Sequence, residues 1–285
     1  MILLRILNCT EFLDLHALLI LNVRSNSISD TVLEPIKSLL ILKLADNKLL
    51  EIPNWCDVEF NSYFPNLLSL VLDNNFISEL YQTRCLPKLR ILSLERNLIQ
   101  LIPTNAFLEL LLLTDLNLLQ PGNPVKAIQE FALNISSLVS LSLRSYNIHF
   151  GKMNASAISK LFAISQALEI LDLGENYLPR DPFALLAMIS QPKKLKQLNL
   201  DITRLYHLPK GVFLHLKYLE KLLLFGNRIT GWGNGHAIFG SMTSLKILDL
   251  SSNLVNIINE TSFPASVLSS LQIINLLVNI FLLCL

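Results

Sequence analysis

Leu89-Arg90-Ile91-Leu92-Ser93-Leu94-Glu95-Arg96-Asn97-Leu98-Ile99 carries the reading of the whole chain. Leucines stand at the first, fourth and sixth positions, an asparagine at the ninth, and an aliphatic residue two places beyond. The phrase returns with first leucines at Leu18, Leu39, Leu67, Leu89, Leu113, Leu138, Leu168, Leu195, Leu219, Leu245 and Leu271, in steps of 21 to 30 residues. Positions four and six alternate inward on a short strand, while five and seven point outward. Parallel strands stacked at ~4.8 Å build a curved sheet of roughly 50 Å from eleven copies. No copy can bury its leucines alone, so neighbours must complete one continuous core. The asparagine turns the chain off the strand, and its amide bridges backbone groups of adjacent turns that burial would leave unpaired. The asparagines expected in that ladder are Asn26, Asn47, Asn75, Asn97, Asn176, Asn227, Asn253 and Asn279.

Leu168 to Leu178 (LEILDLGENYL), Leu219 to Ile229 (LEKLLLFGNRI) and Leu245 to Val255 (LKILDLSSNLV) repeat the phrase nearly without change. From about Leu18 to Phe281 the chain resembles leucine-rich repeat proteins, whose repeats run 20–29 residues. The resemblance implies an α/β repeat fold, a horseshoe solenoid. Its parallel sheet lies on the concave face, with irregular, 3₁₀ and short helical segments on the convex side. We expect residues 1–17 to form a partial or uncapped start and 18–285 to hold about eleven repeats.

Charged residues make up 16% of the chain, well under the ~25% usual for globular domains. A mean hydropathy of +0.48 would suit a membrane protein, yet the apolar residues are periodic and no run of ~20 is unbroken. Leu276 to Leu285 (LLVNIFLLCL) is too short to span a bilayer, contains Asn279 and reads as repeat. A net charge of +1 gives no bulk attraction to phosphate backbones, which argues against nucleic-acid binding. His16, His149, His207, His215 and His236 have no metal-ligand spacing with each other or with cysteine. No H-E-x-x-H, G-x-S-x-G or Walker loop occurs, so the chain reads as non-enzymatic, with neither metal nor cofactor.

The second half of the repeat points to a subtype. Ile102-Pro103 with Phe107, and Leu208-Pro209 with Phe213, continue as x-x-I-P-x-x-x-F-x-x-L. This resembles the repeat of animal extracellular proteins, Toll-like receptors and adhesion proteins among them, and the irregular repeat lengths resemble Toll-like receptor ectodomains. The resemblance implies an ectodomain part, on the outer face of a membrane receptor, that binds a protein or microbial ligand. It also implies receptor homo- or heterodimers, with any membrane contact through segments beyond these residues. An adhesion or matrix protein, and a cytoplasmic scaffold for protein partners, stay open as alternatives.

Two copies break the phrase. At Leu113 the asparagine slot is Pro121, and at Leu138 it is Tyr146, with Asn147 displaced by one. Neither residue reproduces a two-way amide bridge, so a discontinuity is expected over 113–167. Toll-like receptors that bind lipids resemble this pattern, although drift in a tolerant repeat explains the same residues. Thr203, in the slot at Leu195, is a milder departure, because its hydroxyl both donates and accepts.

A binding face should draw on outward strand positions. We single out Asp73, Glu95, Asn117, Leu119 and Arg144, together with the anchor-like cluster Lys221, Leu223 and Phe225. An ordinary solvated sheet would show the same mixture. Gly231 to Gly240 (GWGNGHAIFG) lacks phosphate-loop spacing and reads as an excursion anchored by Trp232. Cys56 and Cys85 fall at nearly equivalent places in adjacent repeats. A bridge is open to them, but Cys85 aligns with Phe107 and Phe213, so we read both as core thiols. The sequons at Asn8, Asn134, Asn154 and Asn259 are glycosylation candidates, all but Asn8 outside the strand phrase. The stretch from Met1 to Leu15 is apolar but broken by Arg5 and shows no clear cleavage site. Cysteine-rich caps are missing from both ends, so the chain reads as part of a longer array.

Overall fold

The computed structural model describes residues 6–8, 15–32, 35–81, 83–120, 125–144, 148–150, 153 and 155–280. Each phrase places its third to fifth residues in a three-residue strand. Eleven such strands form one parallel sheet: Ile20–Asn22, Ile41–Lys43, Ser69–Val71, Ile91–Ser93, Asp115–Asn117, Ser140–Ser142, Ile170–Asp172, Gln197–Asn199, Lys221–Leu223, Ile247–Asp249 and Ile273–Asn275. The register puts Leu92 opposite Leu70 on one side and Leu116 on the other. That column of fourth-position leucines is buried from Leu21 to Leu248. A second column, including Leu44, Leu72, Leu94, Leu118, Leu143 and Leu173, is fully buried beside it. At ~1.5–3 kcal/mol for each buried leucine, stacking supplies the driving force that a single repeat lacks.

The far side of each turn is irregular or shortly helical, as the resemblance implies. Helix Pro182–Ile189 starts on Asp181, whose carboxylate accepts from the Phe183 and Ala184 amides at 3.1 and 3.3 Å. Pro182 fits the first turn because its missing N–H would be unpaired there in any case. Ala184, Leu185, Met188 and Ile189 turn to the core. Three shorter helices (Ala155–Ser159, His236–Phe239 and Ala265–Leu268) occupy comparable places. Trp232 is half-buried as expected of an anchor. Its Nε1 donates to the Ser262 carbonyl at 2.7 Å, and its ring lies 5.4 Å from Phe239 and 5.3 Å from Phe263. Among the described residues, no helix is long and apolar enough to cross a membrane.

The asparagine ladder has the expected chemistry. Asn97 donates to the carbonyls of Leu72 (3.0 Å) and Leu94 (2.9 Å) and accepts from the Ile77 amide at 3.1 Å. Asn47, Asn75, Asn176, Asn227, Asn253 and Asn279 make the same three-way bridge. Asn26, half-buried in the first copy, donates to Val23 O at 2.9 Å. Thr203 fills its slot with its hydroxyl donating to Leu200 O (2.8 Å) and its backbone amide donating to Asn227 Oδ1 (2.9 Å).

One expectation needs correction, and a second, the discontinuity over 113–167, rests on asparagine slots outside the described residues. The strand pairing itself runs on across 113–167. Asp115–Asn117 pairs with Ser140–Ser142, and that strand with Ile170–Asp172, both in full register. Just beyond, Asn176 resumes the bridge, donating to Leu143 O at 2.7 Å. Strand pairing needs only backbone groups, so losing the asparagine side chain does not break it. The slots themselves, Pro121 and Tyr146, lie outside the described residues.

Cys56 and Cys85 are not core thiols. They form a disulfide, with their Cα atoms 5.6 Å apart, and both residues are only half-buried. The Leu89 amide bonds to Leu86 O just as the Leu113 amide bonds to Leu110 O. Leu86 is therefore the counterpart of Leu110. Counted back from that turn, Cys85 falls level with Glu109 rather than Phe107, outside the packed interior. Its copy is shorter, and alignment from the phenylalanine side missed the deletion.

Candidate recognition surface on the concave sheet

The outward positions of three-residue strands bring side chains from successive repeats to ~4.8 Å spacing, so charges one or two repeats apart interact directly. Arg144, just past its strand, is the strongest example. Its guanidinium lies 3.1 Å from Glu175 Oε1, 3.7 Å from Asp201 Oδ2 and 3.9 Å from Asp172 Oδ1. One cation thus faces three carboxylates from the next two repeats. Asp172 Oδ1 accepts from the Gly174 amide at 2.9 Å, and Asp201 Oδ1 from the Phe225 amide at 2.8 Å. Strand ends and charge cluster are therefore tied together.

Burial is the main influence on both acids and pushes the Asp172 and Asp201 carboxyls above the usual 3.8, while the backbone amides and Arg144 pull back. Asp249 and Asp172 add repulsion at Asp201. A carboxyl with a raised folded pKa favours the fold fully below its unfolded value, and that contribution is lost as pH rises through the folded value. Asp201→Asn keeps an oxygen for the Phe225 amide and removes the buried charge. It should raise the thermal midpoint at pH 7 and leave it unchanged below about pH 4. A larger gain in acid than at neutrality would contradict this assignment.

The residues singled out from sequence fall into three patches of the one face. Asp73, Glu95, Asn117 and Leu119 form a hydrogen-bonded chain across three repeats. The Glu95 amide donates to Asp73 Oδ1 (2.9 Å), Asn117 Nδ2 to Glu95 Oε2 (3.3 Å), and the Leu119 amide to Asn117 Oδ1 (3.1 Å). Burial raises the Asp73 carboxyl as well. Arg144 forms the second patch, with its acids. Lys221 and Leu223, half-buried, and Phe225, 38% exposed, form the third. Three strand spacings, ~15 Å, separate Ser140–Ser142 from Lys221–Leu223, so Arg144 and Lys221 do not touch. The Phe225 amide does reach the acid cluster through Asp201. Sequence reasoning passed over Asp172, Glu175, Asp201 and Asp249. Their signal was diagonal, a fifth position beside a seventh position one repeat on, whereas the reading ran along rows of equal position.

An unbroken eleven-strand parallel sheet, with a seven-asparagine ladder of identical bonds behind it, decides the class. The chain is a leucine-rich repeat protein. No family model matches it. Podocan of Mus musculus is 31% identical over 230 residues, 73% of this chain. The backbone of this repeat protein also superposes on a solved complex of Toll with Spatzle, from Drosophila, with a TM-score of 0.77 and 24% identity over 96% of the chain. A complex of Latrophilin 3, Unc5D and FLRT2 matches with a TM-score of 0.69 and 22% identity over 92% of the chain. Matches at these two identities show the fold alone. The repeat protein spans about a third of the length of Podocan (35%) and the same share of the Toll-complex chain (35%), against 76% in the FLRT2 complex.

Proposed function

We propose that this repeat protein is a non-catalytic recognition module working outside the cell, its concave sheet binding a protein ligand as part of a Toll-like or related receptor. The carrying observation is the continuous concave face, where carboxylates outnumber their counter-charge. Asp172, Glu175 and Asp201 share Arg144, and Asp249 adds a further negative charge beside Asp201, which suits a ligand with a basic contact surface. Toll stands in complex with Spatzle in the structure this chain resembles, in what is described as a hub of development and innate immunity. A Cys56–Cys85 bridge suits an oxidising compartment. An adhesion role is the second reading, favoured by the match to the octameric Latrophilin 3, Unc5D and FLRT2 complex.

Immobilised protein should be screened against secreted proteins at physiological salt, with Asp172→Lys/Asp201→Lys and a convex control, Glu109→Lys, alongside. Ligand capture lost in the concave variant and kept in the control supports the proposal; equal capture by both variants contradicts it. The full-length transcript separates receptor from adhesion protein, since only the former requires a membrane span and a Toll/interleukin-receptor-type domain.

We further propose that Asn259 carries an N-linked glycan. Its side chain is exposed, with Oδ1 accepting from the Thr261 amide (3.0 Å) and hydroxyl (2.9 Å) of its own sequon. Asn134 is half-buried, and its Oδ1 accepts from the Ile164 amide at 3.4 Å. The side chain of Asn8, and Asn154, lie outside the described residues. In protein secreted by animal cells, enzymatic deglycosylation should lower the mass, and Asn259→Gln should remove one glycan. An unchanged mass contradicts the assignment.

A further inference from the structure

On the flank of the solenoid, where strands Ser140–Ser142, Ile170–Asp172 and Gln197–Asn199 run into their turns, three side chains from successive repeats stack. The His149 and Tyr177 rings are parallel, 3° apart in plane with centroids 4.0 Å apart. Arg204 lies over the Tyr177 ring at 4.4 Å and donates to its hydroxyl at 3.1 Å. One repeat further, Arg228 sits 5.7 Å from the centre of the Tyr206 ring. A stacked guanidinium is held flat by the ring and keeps most of its five donors free for an anion.

His149, Tyr177, Arg204 and Tyr206 rim a cavity of 470 Å³. Phe150, Ile158, Leu178 and Ala184, all buried, form its apolar floor, and Arg180 and Arg204 stand exposed at its mouth. Neither arginine makes an ion pair among the described residues. Asp181, the one carboxylate in the lining, is occupied in capping helix Pro182–Ile189. A surface of free guanidiniums over an apolar floor is not needed for folding, since repeats elsewhere close without one.

We propose that this flank cavity is a docking site for an acidic peptide segment, one that offers a carboxylate to Arg180 and Arg204 and an adjacent apolar side chain to the floor. Guanidinium and carboxylate match as a bidentate pair. The apolar floor is wasted on a sulfated sugar, which has no comparable face. A long polyanion would also run against Asp172, Glu175 and Asp201 on the adjoining concave face, where they crowd Arg144. The site is distinct from the concave sheet and stands or falls separately from the function proposed for it.

The test is fluorescence anisotropy on the full chain with a labelled glutamate-rich peptide carrying one phenylalanine. The same peptide with serine in place of phenylalanine, and heparin, serve as comparison probes. Arg180→Glu leaves the Tyr177 stack untouched, so it tests the site without risk to the fold, and Arg204→Glu tests the stacked cation. Each should weaken the phenylalanine peptide at least tenfold, the loss of one charge-assisted pair, and the serine peptide should bind more weakly to the unaltered chain. Arg180→Glu binding as tightly as the unaltered chain overturns the proposal. So does equal affinity for the serine peptide, or heparin binding through these arginines without peptide binding.

Discussion

Asn97→Ala is expected to lower stability by about 3–5 kcal/mol. The substitution strands the Leu72 and Leu94 carbonyls and the Ile77 amide, in a slot only 2% exposed. Each orphaned buried group costs about 1–3 kcal/mol, and the collapsed core leaves little room for a replacing water. Asn97→Asp should be nearly as severe, because it keeps an acceptor for Ile77 but points a carboxylate at two carbonyls. Repeats touch only their neighbours, so the damage should be local. Hydrogen exchange should rise first in the strands Ser69–Val71, Ile91–Ser93 and Asp115–Asn117. Asn26→Ala, in a half-buried first copy, should cost under about 1 kcal/mol, since water can serve the freed groups. Urea unfolding that gave the two variants equal losses would remove the amide bridge as the reason for the asparagine.

Removing the disulfide by Cys56→Ser/Cys85→Ser should cost about 3–4 kcal/mol, the loop-entropy value for a closure of this size, with the cysteines 29 residues apart. The bridge holds the segment that carries Trp55 and Phe64, fully buried rings 5.5 Å apart edge to face, so the variant should also expose Trp55 fluorescence to quenchers. Digestion without reduction of protein secreted by animal cells should yield the two cysteine peptides joined. Free, alkylatable Cys56 and Cys85 in that material would contradict both the bridge and the compartment it implies.

The repeat phrase made the sheet legible down to its register, because the inward leucines stack on their counterparts one repeat away and seven of the eight ladder asparagines bond to the preceding repeat. What the phrase does not encode was read less well. Cys85 was aligned from Phe107, while the fold counts from Leu86 and Leu110; a deletion in the loosely constrained half of the repeat shifted it out of the core. Pro121 and Tyr146, whose slots lie outside the described residues, suggested a broken asparagine ladder, and the neighbouring strands pair through backbone bonds that those side chains do not govern. The charge cluster at Arg144 depends on a diagonal across three repeats, and the flank stack joins Tyr177 and Arg204, at one offset from their leucines, to His149, which lies two residues further along its own repeat. Those contacts come from the curvature and offset of the turns, which no single copy of the phrase carries.

The most direct test of the account is hydroxyl-radical footprinting of this protein with and without the ligand recovered by the secreted-protein screen. Oxidation should fall at Leu223 and Phe225 on the concave side and stay unchanged at Leu108 and Leu111, which are 57% and 73% exposed on the far side of the turn. Protection of Leu108 and Leu111 with Leu223 and Phe225 still oxidised would show that the ligand sits elsewhere, and the concave sheet would lose its assigned role.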